Sequence, residues 1–486
     1  MNTVLENTST KVSTGLKENN LSFTEVIAQS VANIGPSVGP ALGISTVYVS
    51  AGNGSWLTYV FATIAILFVG YHINQFARRS ASPGALYTYV SDGLGAGAGF
   101  LSGWALVLAY ILTGSACLAG LSNYTNELLG YVGLSLHPVA ICVVATLVGW
   151  FMVYKDAQVS AKLMLILEAV SLTLIFTLGI IILAKNGFKI DFAQVKMKGV
   201  TADSLRLGLV MAFFSFVGFE SATALGGEAK NPLRNIPRAV TISTIFVGLI
   251  FVSFSYIEIL GFAATAKKLN EVPAPLTFLA NTNGVGFMGV FLSLGAAISF
   301  WSCFVACITA SGRILLSMGR HKILPATLAR VHRTNNTPHV ATGIVAVISF
   351  IIPAILLSKG CAGLDIFGWV GTVSTLGFLF CYAMIVISVP VFLYKRKELK
   401  AKNVIISTVS MGILLMPIIG SVYPLPPFPG VLFPFIFLAW LILGGSWFFI
   451  MDVYKHSVVE EMRKDIKLSR EKVDFGEEIG GKLESN

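Results

Sequence analysis

Apolar stretches of about 20 residues recur along this chain from Leu21 to Met451, separated by short polar loops. A helix rising about 1.5 Å per residue needs that length to cross a hydrocarbon layer roughly 30 Å thick. Lipid offers no hydrogen bonds to backbone groups, so spanning segments are helices or closed barrels. The runs are continuous rather than alternating, which excludes a transmembrane β-barrel. Charged residues make up 12% of the 486, about half the share of a soluble domain. The fold class is therefore an all-α membrane protein. The runs predict about twelve transmembrane helices, near 25–50, 54–77, 97–122, 138–154, 160–184, 204–228, 237–262, 285–318, 339–358, 364–394, 404–423 and 428–451.

Residues 1–20 are polar and lack the basic-then-apolar pattern of a signal peptide. They are expected to form a cytoplasmic tail ahead of a retained first span. The charged stretch 452–486 is expected to be a second cytoplasmic tail, helical over Val458–Lys472. Arg78, Arg79, Lys230, Arg234, Arg238, Arg320, Lys322 and the cluster Lys395, Arg396, Lys397 fall on one side of the predicted topology. Cytoplasmic loops carry the excess of Lys and Arg, which places both termini inside a cell (inner or plasma) membrane. The same bias accounts for the net charge of +10, and no nucleic-acid partner is needed. The six cysteines lie mostly within apolar runs. Cys303 and Cys307 are one turn apart but have no accompanying His or second Cys pair, so neither a metal nor a cofactor is expected and the thiols read as small hydrophobes.

Within the first span, Asn33-Ile34-Gly35-Pro36-Ser37-Val38-Gly39-Pro40 interrupts the helix. Proline in a helix interior costs roughly 3 kcal/mol, and freed backbone groups are tolerated at membrane depth only where they are buried in protein or line a cavity. Pro36 and Pro40 have no N–H, so the free amides belong to Ser37, Val38 and Gly39. The N-terminus of the outer half-helix adds positive potential suited to a carboxylate. The sixth span carries a second interruption, Phe214-Ser215-Phe216-Val217-Gly218-Phe219-Glu220. Carbonyls freed between Phe214 and Val217 suit an ammonium. Two breaks five spans apart point to an inverted repeat with its site near the midplane. Taken singly, either break also reads as an ordinary kink.

Three carboxyls lie within spans, each at a cost of roughly 2.5–3.5 kcal/mol at a helix centre. Glu168, near the middle of the fifth span, reads as a proton-coupling group or as a hydrogen-bonded structural residue. Glu220 directly follows the second break, at the start of an expected inner half-helix whose dipole favours a negative charge, and serves either gating and proton coupling or local bracing of the backbone. Glu258 is near the outer end of its span and is expected to reach the interface. Phe219 and Phe214 flank the second break, and Tyr110 sits mid-span in the third helix; all three are candidate substrate contacts.

The stretch Phe213-Phe214-Ser215-Phe216-Val217-Gly218-Phe219-Glu220, with Gly227-Glu228-Ala229-Lys230-Asn231-Pro232-Leu233-Arg234-Asn235-Ile236-Pro237-Arg238-Ala239, resembles the sixth-span signature of the amino acid–polyamine–organocation (APC) superfamily. Pro83-Gly84-Ala85-Leu86-Tyr87 and Ser311-Gly312-Arg313 through Gly319-Arg320 to Leu324-Pro325 are similar to further stretches of that family. The resemblance implies a five-plus-five inverted repeat with broken helices 1 and 6 (the LeuT-type, or APC, fold) and alternating access. It implies substrate-carboxylate contacts at Ser37, Val38 and Gly39, and substrate-amine contacts at Ile34, Phe214 and Val217. Where many relatives carry Gly-Ser/Thr-Gly, this chain has Pro36-Ser37-Val38-Gly39-Pro40, which leaves the substrate open. Glu168 aligns near a fifth-span lysine that occupies a sodium position in one proton-coupled branch.

The implied organisation is a transport core over 21–395, with repeat one over about 25–184 and repeat two over about 204–394, two peripheral helices over 404–451, and the two tails. The expected function is secondary active import of an amino acid or related amine, coupled to protons. The alternatives are an amino acid/polyamine exchanger and a transceptor-like sensor. An enzyme is not expected: the six histidines are scattered through loops and span ends.

Overall fold

The computed structural model describes residues 16–155, 157–423 and 426–462. Its helices are α1 (Phe23–Ile34), α2 (Ile44–Ala51), α3 (Ser55–Ala77), α4 (Leu86–Leu94), α5 (Ala96–Gly130), α6 (Pro138–Lys155), α7 (Ala157–Lys185) and α8 (Phe192–Val195). They continue as α9 (Ala202–Ser215), α10 (Pro232–Ala263), α11 (Pro275–Thr282), α12 (Phe287–Arg320), α13 (His339–Ser358), α14 (Gly363–Lys395), α15 (Ala401–Gly420) and α16 (Phe433–Tyr454). Among the described residues the only extended pairing is a bridge between Leu21 and Ala229.

Among the described residues ten segments are long and apolar enough to cross a membrane. The first and second expected spans fall together in Phe23–Ala77, and the expected span 204–228 is not among the ten. Its helix α9 has only 14 residues and gives way to turns. The expected tail helix over 458–472 is helical as far as Met462; the remainder, and residues 1–15, lie outside the described residues.

The long helix α5 runs through the centre, packed on α12 and α14. Small side chains from Thr113 to Ser122 let those helices approach closely. The broken segments sit beside this centre: α1 against α7, α10 and α12, and α9 against α2, α3 and α14. Helix α16 is held to α5 by Trp104 and Trp440, whose rings stack at 4.2 Å. Each indole N–H donates to the other residue's carbonyl, at 2.9 and 3.0 Å. The opposite face of α16 is exposed and apolar, as a lipid-facing surface should be.

One end of the broken pair is tied by several bonds. The Asn20 and Leu21 amides donate to the Glu228 carbonyl at 2.9 and 3.0 Å, and the Lys230 amide donates to the Leu21 carbonyl at 2.7 Å. Arg313 of α12 clamps the Glu228 carboxylate with two N–H···O bonds of 2.6 and 3.1 Å. Lys162 pairs with Glu25 at 3.2 Å.

Candidate functional site

Helix α1 ends at Ile34 because Gly35 turns left-handed, with φ 61°, and returns its N–H to the Val31 carbonyl. The chain resumes as a wide π turn over Gly39–Gly43, closed by the Ile44 amide on the Gly39 carbonyl. Between them, the Val38 amide donates to the Gly35 carbonyl at 2.8 Å. The Ser37 amide donates to Glu168 Oε1 of α7, also at 2.8 Å.

Helix α9 stops at Ser215, and the Phe216 and Val217 amides fold back onto the carbonyls of Phe213 and Phe214. Gly218 then adopts φ 89°, and a Cβ there would fall 2.5 Å from Cγ of Asn33. The two breaks touch at this point, and only glycine permits it. After the break comes a five-residue 3₁₀ turn, Ser221–Leu225, rather than the inner half-helix expected from the sequence. The Ser30 hydroxyl bridges the breaks by donating to the Phe219 carbonyl at 2.9 Å, and the Ser221 hydroxyl donates to the Gln29 carbonyl at 3.2 Å.

Between the breaks lies a cavity of about 20 Å³, lined by Asn33, Ile34, Val38, Gly39 and Gly43 on one side and Phe214, Ser215 and Val217 on the other. That is room for one water molecule, so this conformation is closed around its centre. Thr113 and Cys117 of α5, Cys303 of α12 and Phe367 of α14 complete the lining. Of the residues singled out from sequence, Ile34, Val38, Gly39, Phe214 and Val217 meet here. Ser37 stands on the far side of the break, facing Glu168. Tyr110 does not line the cavity: its hydroxyl donates to Glu220 Oε1 at 2.7 Å. Phe219 does not line it either and packs edge-on against Tyr382 at 5.5 Å.

Glu220 is gripped from two helices, by Tyr110 of α5 and by the hydroxyl of Tyr382 of α14, which donates to Oε2 at 2.9 Å. Its carboxylate is therefore satisfied by tyrosines and not by a helix N-terminus. Glu168 is 1% exposed. The Ser37 and Ser299 hydroxyls lie beside it, yet neither meets hydrogen-bond geometry with Oε2. A groove of about 660 Å³ between α1, α7 and α10 leads to this carboxyl. Glu258 corrects the expectation that it reaches the interface: it is 1% exposed, and neither oxygen has a partner among the described residues. It lies on the buried face of α10, seven residues and two turns beyond Phe251, whose ring abuts Gly39.

Thr113, Cys117 and Phe367 were not singled out from the sequence, and Cys303 was read only as a small hydrophobe one turn from Cys307. Each sits in an apolar run with no local mark, and only the packing of α5, α12 and α14 brings them to the breaks. Among the described residues no cluster of three or more His, Cys, Asp or Glu side chains is placed to hold a metal ion.

The chain matches the Amino acid permease family profile over residues 25–425. It is 24% identical over 392 residues to the branched-chain amino acid permease BcaP of Bacillus subtilis (strain 168), covering 76% of this chain and 80% of that protein. It is 25% identical to the methylthioribose transporter of the same organism, covering 89% and 93%. With cationic amino acid transporter 3, mitochondrial, of Arabidopsis thaliana it shares 23% identity, covering 68% and 56%. These relatives are membrane transporters and not enzymes. With most of its length matched and its helices long enough to cross a bilayer many times, the chain belongs to the amino acid permease family.

Proposed function

We propose that this permease imports an amino acid by alternating access, driven by the proton gradient through Glu168. The observation that carries the reading is the 2.8 Å bond from the Ser37 amide to Glu168 Oε1. It ties a buried carboxyl directly to the break whose neighbours Ile34, Val38 and Gly39 line the cavity. An ionised carboxylate accepts that N–H in a charge-assisted bond, roughly twice as strong as a neutral one. A proton arriving on Glu168 weakens the bond and frees the break to rearrange; its departure tightens it again. Binding and release of substrate thereby become linked to binding and release of a proton.

The substrate's carboxylate is read at the Gly39 backbone and at the Val38 amide once the opening break releases it from the Gly35 carbonyl, which it binds in this closed conformation. The ammonium is read at the carbonyls around Ile34, Phe214 and Val217. Glu220, joined to Tyr110 and Tyr382, acts on closure of the second break against α5 and α14. The reading includes a five-plus-five inverted repeat (25–184 and 204–394), peripheral helices over 404–451, and cytoplasmic termini in a cell membrane. Two matched breaks and the distribution of Lys and Arg support it.

The test is uptake of a labelled amino acid panel into proteoliposomes under imposed proton or sodium gradients. Accumulation driven by an external-acid gradient, and unaffected by sodium, is the expected result. Uptake indifferent to both gradients but stimulated by internal substrate would replace symport with exchange.

A further inference from the structure

We infer that the permease selects neutral amino acids with aliphatic or thioether side chains, which enter a thiol-lined apolar slot made by Thr113, Cys117, Cys303, Phe214 and Phe367. The inference rests on the transport reading above and adds the substrate class. The printed functions of the relatives span branched-chain, cationic and sugar-derived substrates, so they do not decide the matter. The wall of the cavity does.

The cavity has two chemically distinct sides. Backbone-rich residues of the two breaks form one, suited to the charged ends that all amino acids share. The other is apolar. Thr113 spends its hydroxyl on the Ala109 carbonyl at 3.0 Å and the Ser374 hydroxyl at 2.8 Å. The Cys303 thiol donates to the Asn33 carbonyl at 3.0 Å, and Cys117 lines the cavity with it. Phe214 and Phe367 meet edge to face at 5.3 Å, with Phe214 resting on Gly371.

No charged residue is among those lining the cavity. Among the described residues none of the nearby carboxyls lines the slot: Glu220 is held by its two tyrosines, Glu168 faces Ser37 behind the break with Oε2 unpartnered, and unpartnered Glu258 lies on α10 two turns beyond Phe251. A lysine, arginine or glutamate side chain entering this slot leaves water without finding a counter-charge. Burying an unpaired charge is worth several factors of ten in affinity. An aliphatic chain or thioether loses nothing polar and fits walls of sulfur, methyl and ring edge. In the closed conformation there is space for a single water, so the slot accepts a side chain when the breaks move apart; Thr113, Cys117, Cys303 and Phe367 hold their part of the wall on α5, α12 and α14, while Phe214 moves with the second break.

Two measurements on the full-length protein test this. First, binding of glycine, alanine, leucine, methionine, lysine and glutamate to the purified permease is measured by ligand-induced thermal stabilisation. Leucine and methionine should bind at least about 100-fold more tightly than lysine or glutamate, and more than about tenfold better than glycine. Lysine or glutamate binding within tenfold of leucine overturns the slot and leaves amino acid transport standing. If no amino acid binds and none is taken up, both readings fall. Second, alkylation of the native Cys117 and Cys303 by N-ethylmaleimide is followed by peptide mass spectrometry. Leucine should slow it severalfold and lysine should not; leucine that binds without protecting either thiol overturns the wall assignment. The variant Cys117→Asp should raise lysine affinity relative to leucine at least about tenfold, and an unchanged ratio in the folded variant counts against the slot.

Discussion

The buried pair Arg313–Glu228 gives a prediction with a sign as well as a size. The two side chains are 1% and 6% exposed and joined by two bonds of 2.6 and 3.1 Å. Arg313 gives a third N–H to the Thr309 carbonyl at 3.0 Å. Breaking a buried pair by removing one partner costs about 3–5 kcal/mol, because the survivor is left charged and dry. The two single variants are not equivalent. In Arg313→Met the stranded carboxylate can take up a proton and become neutral. In Glu228→Gln the stranded guanidinium cannot lose one, although the amide oxygen still accepts one hydrogen bond. Glu228→Leu removes that acceptor and should be the most damaging, near the upper end of the range. Arg313→Met should fall near the lower end, with Glu228→Gln between them. The double variant Glu228→Leu/Arg313→Met leaves no unpaired charge and should recover at least half of the loss. Thermal unfolding in detergent, followed by near-ultraviolet circular dichroism, reads all four. Losses that simply add in the double variant, or Arg313→Met proving the worst, would refute the reasoning.

Three further outcomes follow from the described geometry. Tyr382→Phe removes one of two hydroxyls satisfying the buried Glu220 carboxylate and should lower stability by about 1–3 kcal/mol; an unchanged melting temperature would argue that the carboxylate is satisfied elsewhere. Gly218→Ala places a Cβ 2.5 Å from Asn33 Cγ at a positive φ, so uptake should fall at least tenfold with a stability loss of at least about 1 kcal/mol, and normal uptake by that variant would contradict contact between the breaks. Glu258→Leu removes a carboxyl with no partner among the described residues and should be neutral or stabilising in the same unfolding assay; a loss beyond about 1 kcal/mol would expose a bond that the structure does not contain.

How much of this was legible in the sequence depends on whether the signal is local. Pro36, Pro40 and Gly218 declare themselves, because proline removes an amide and glycine permits a positive φ wherever they occur. Ile34, Val38, Gly39, Phe214 and Val217 come with them, since they are neighbours of the breaks in the chain. Glu168 and Glu220 were marked by the expense of a carboxyl in lipid, but not by their partners. Ser37, 131 residues away from Glu168, and Tyr382, 162 residues away from Glu220, are joined to them only by packing. Tyr110 shows the converse. Its mid-span position suggested substrate, yet a buried hydroxyl needs an acceptor and found Glu220. The inner half-helix after Glu220 failed to appear because the stretch that follows contains Gly226 and Gly227 and packs directly on the Ser82–Pro83 loop. Cys117 and Cys303 look like any buried thiols until three helices bring them to one cavity.

Coupling through Glu168 is tested most directly by comparing wild type with Glu168→Gln in proteoliposomes, recording substrate accumulation and proton entry together. Glutamine still offers a carbonyl to the Ser37 amide, so the break should hold and substrate binding should persist. Accumulation under an external-acid gradient should disappear, and substrate-evoked proton entry with it. Accumulation and proton entry at wild-type levels in Glu168→Gln would contradict the account and leave Glu168 as a brace for the broken helix.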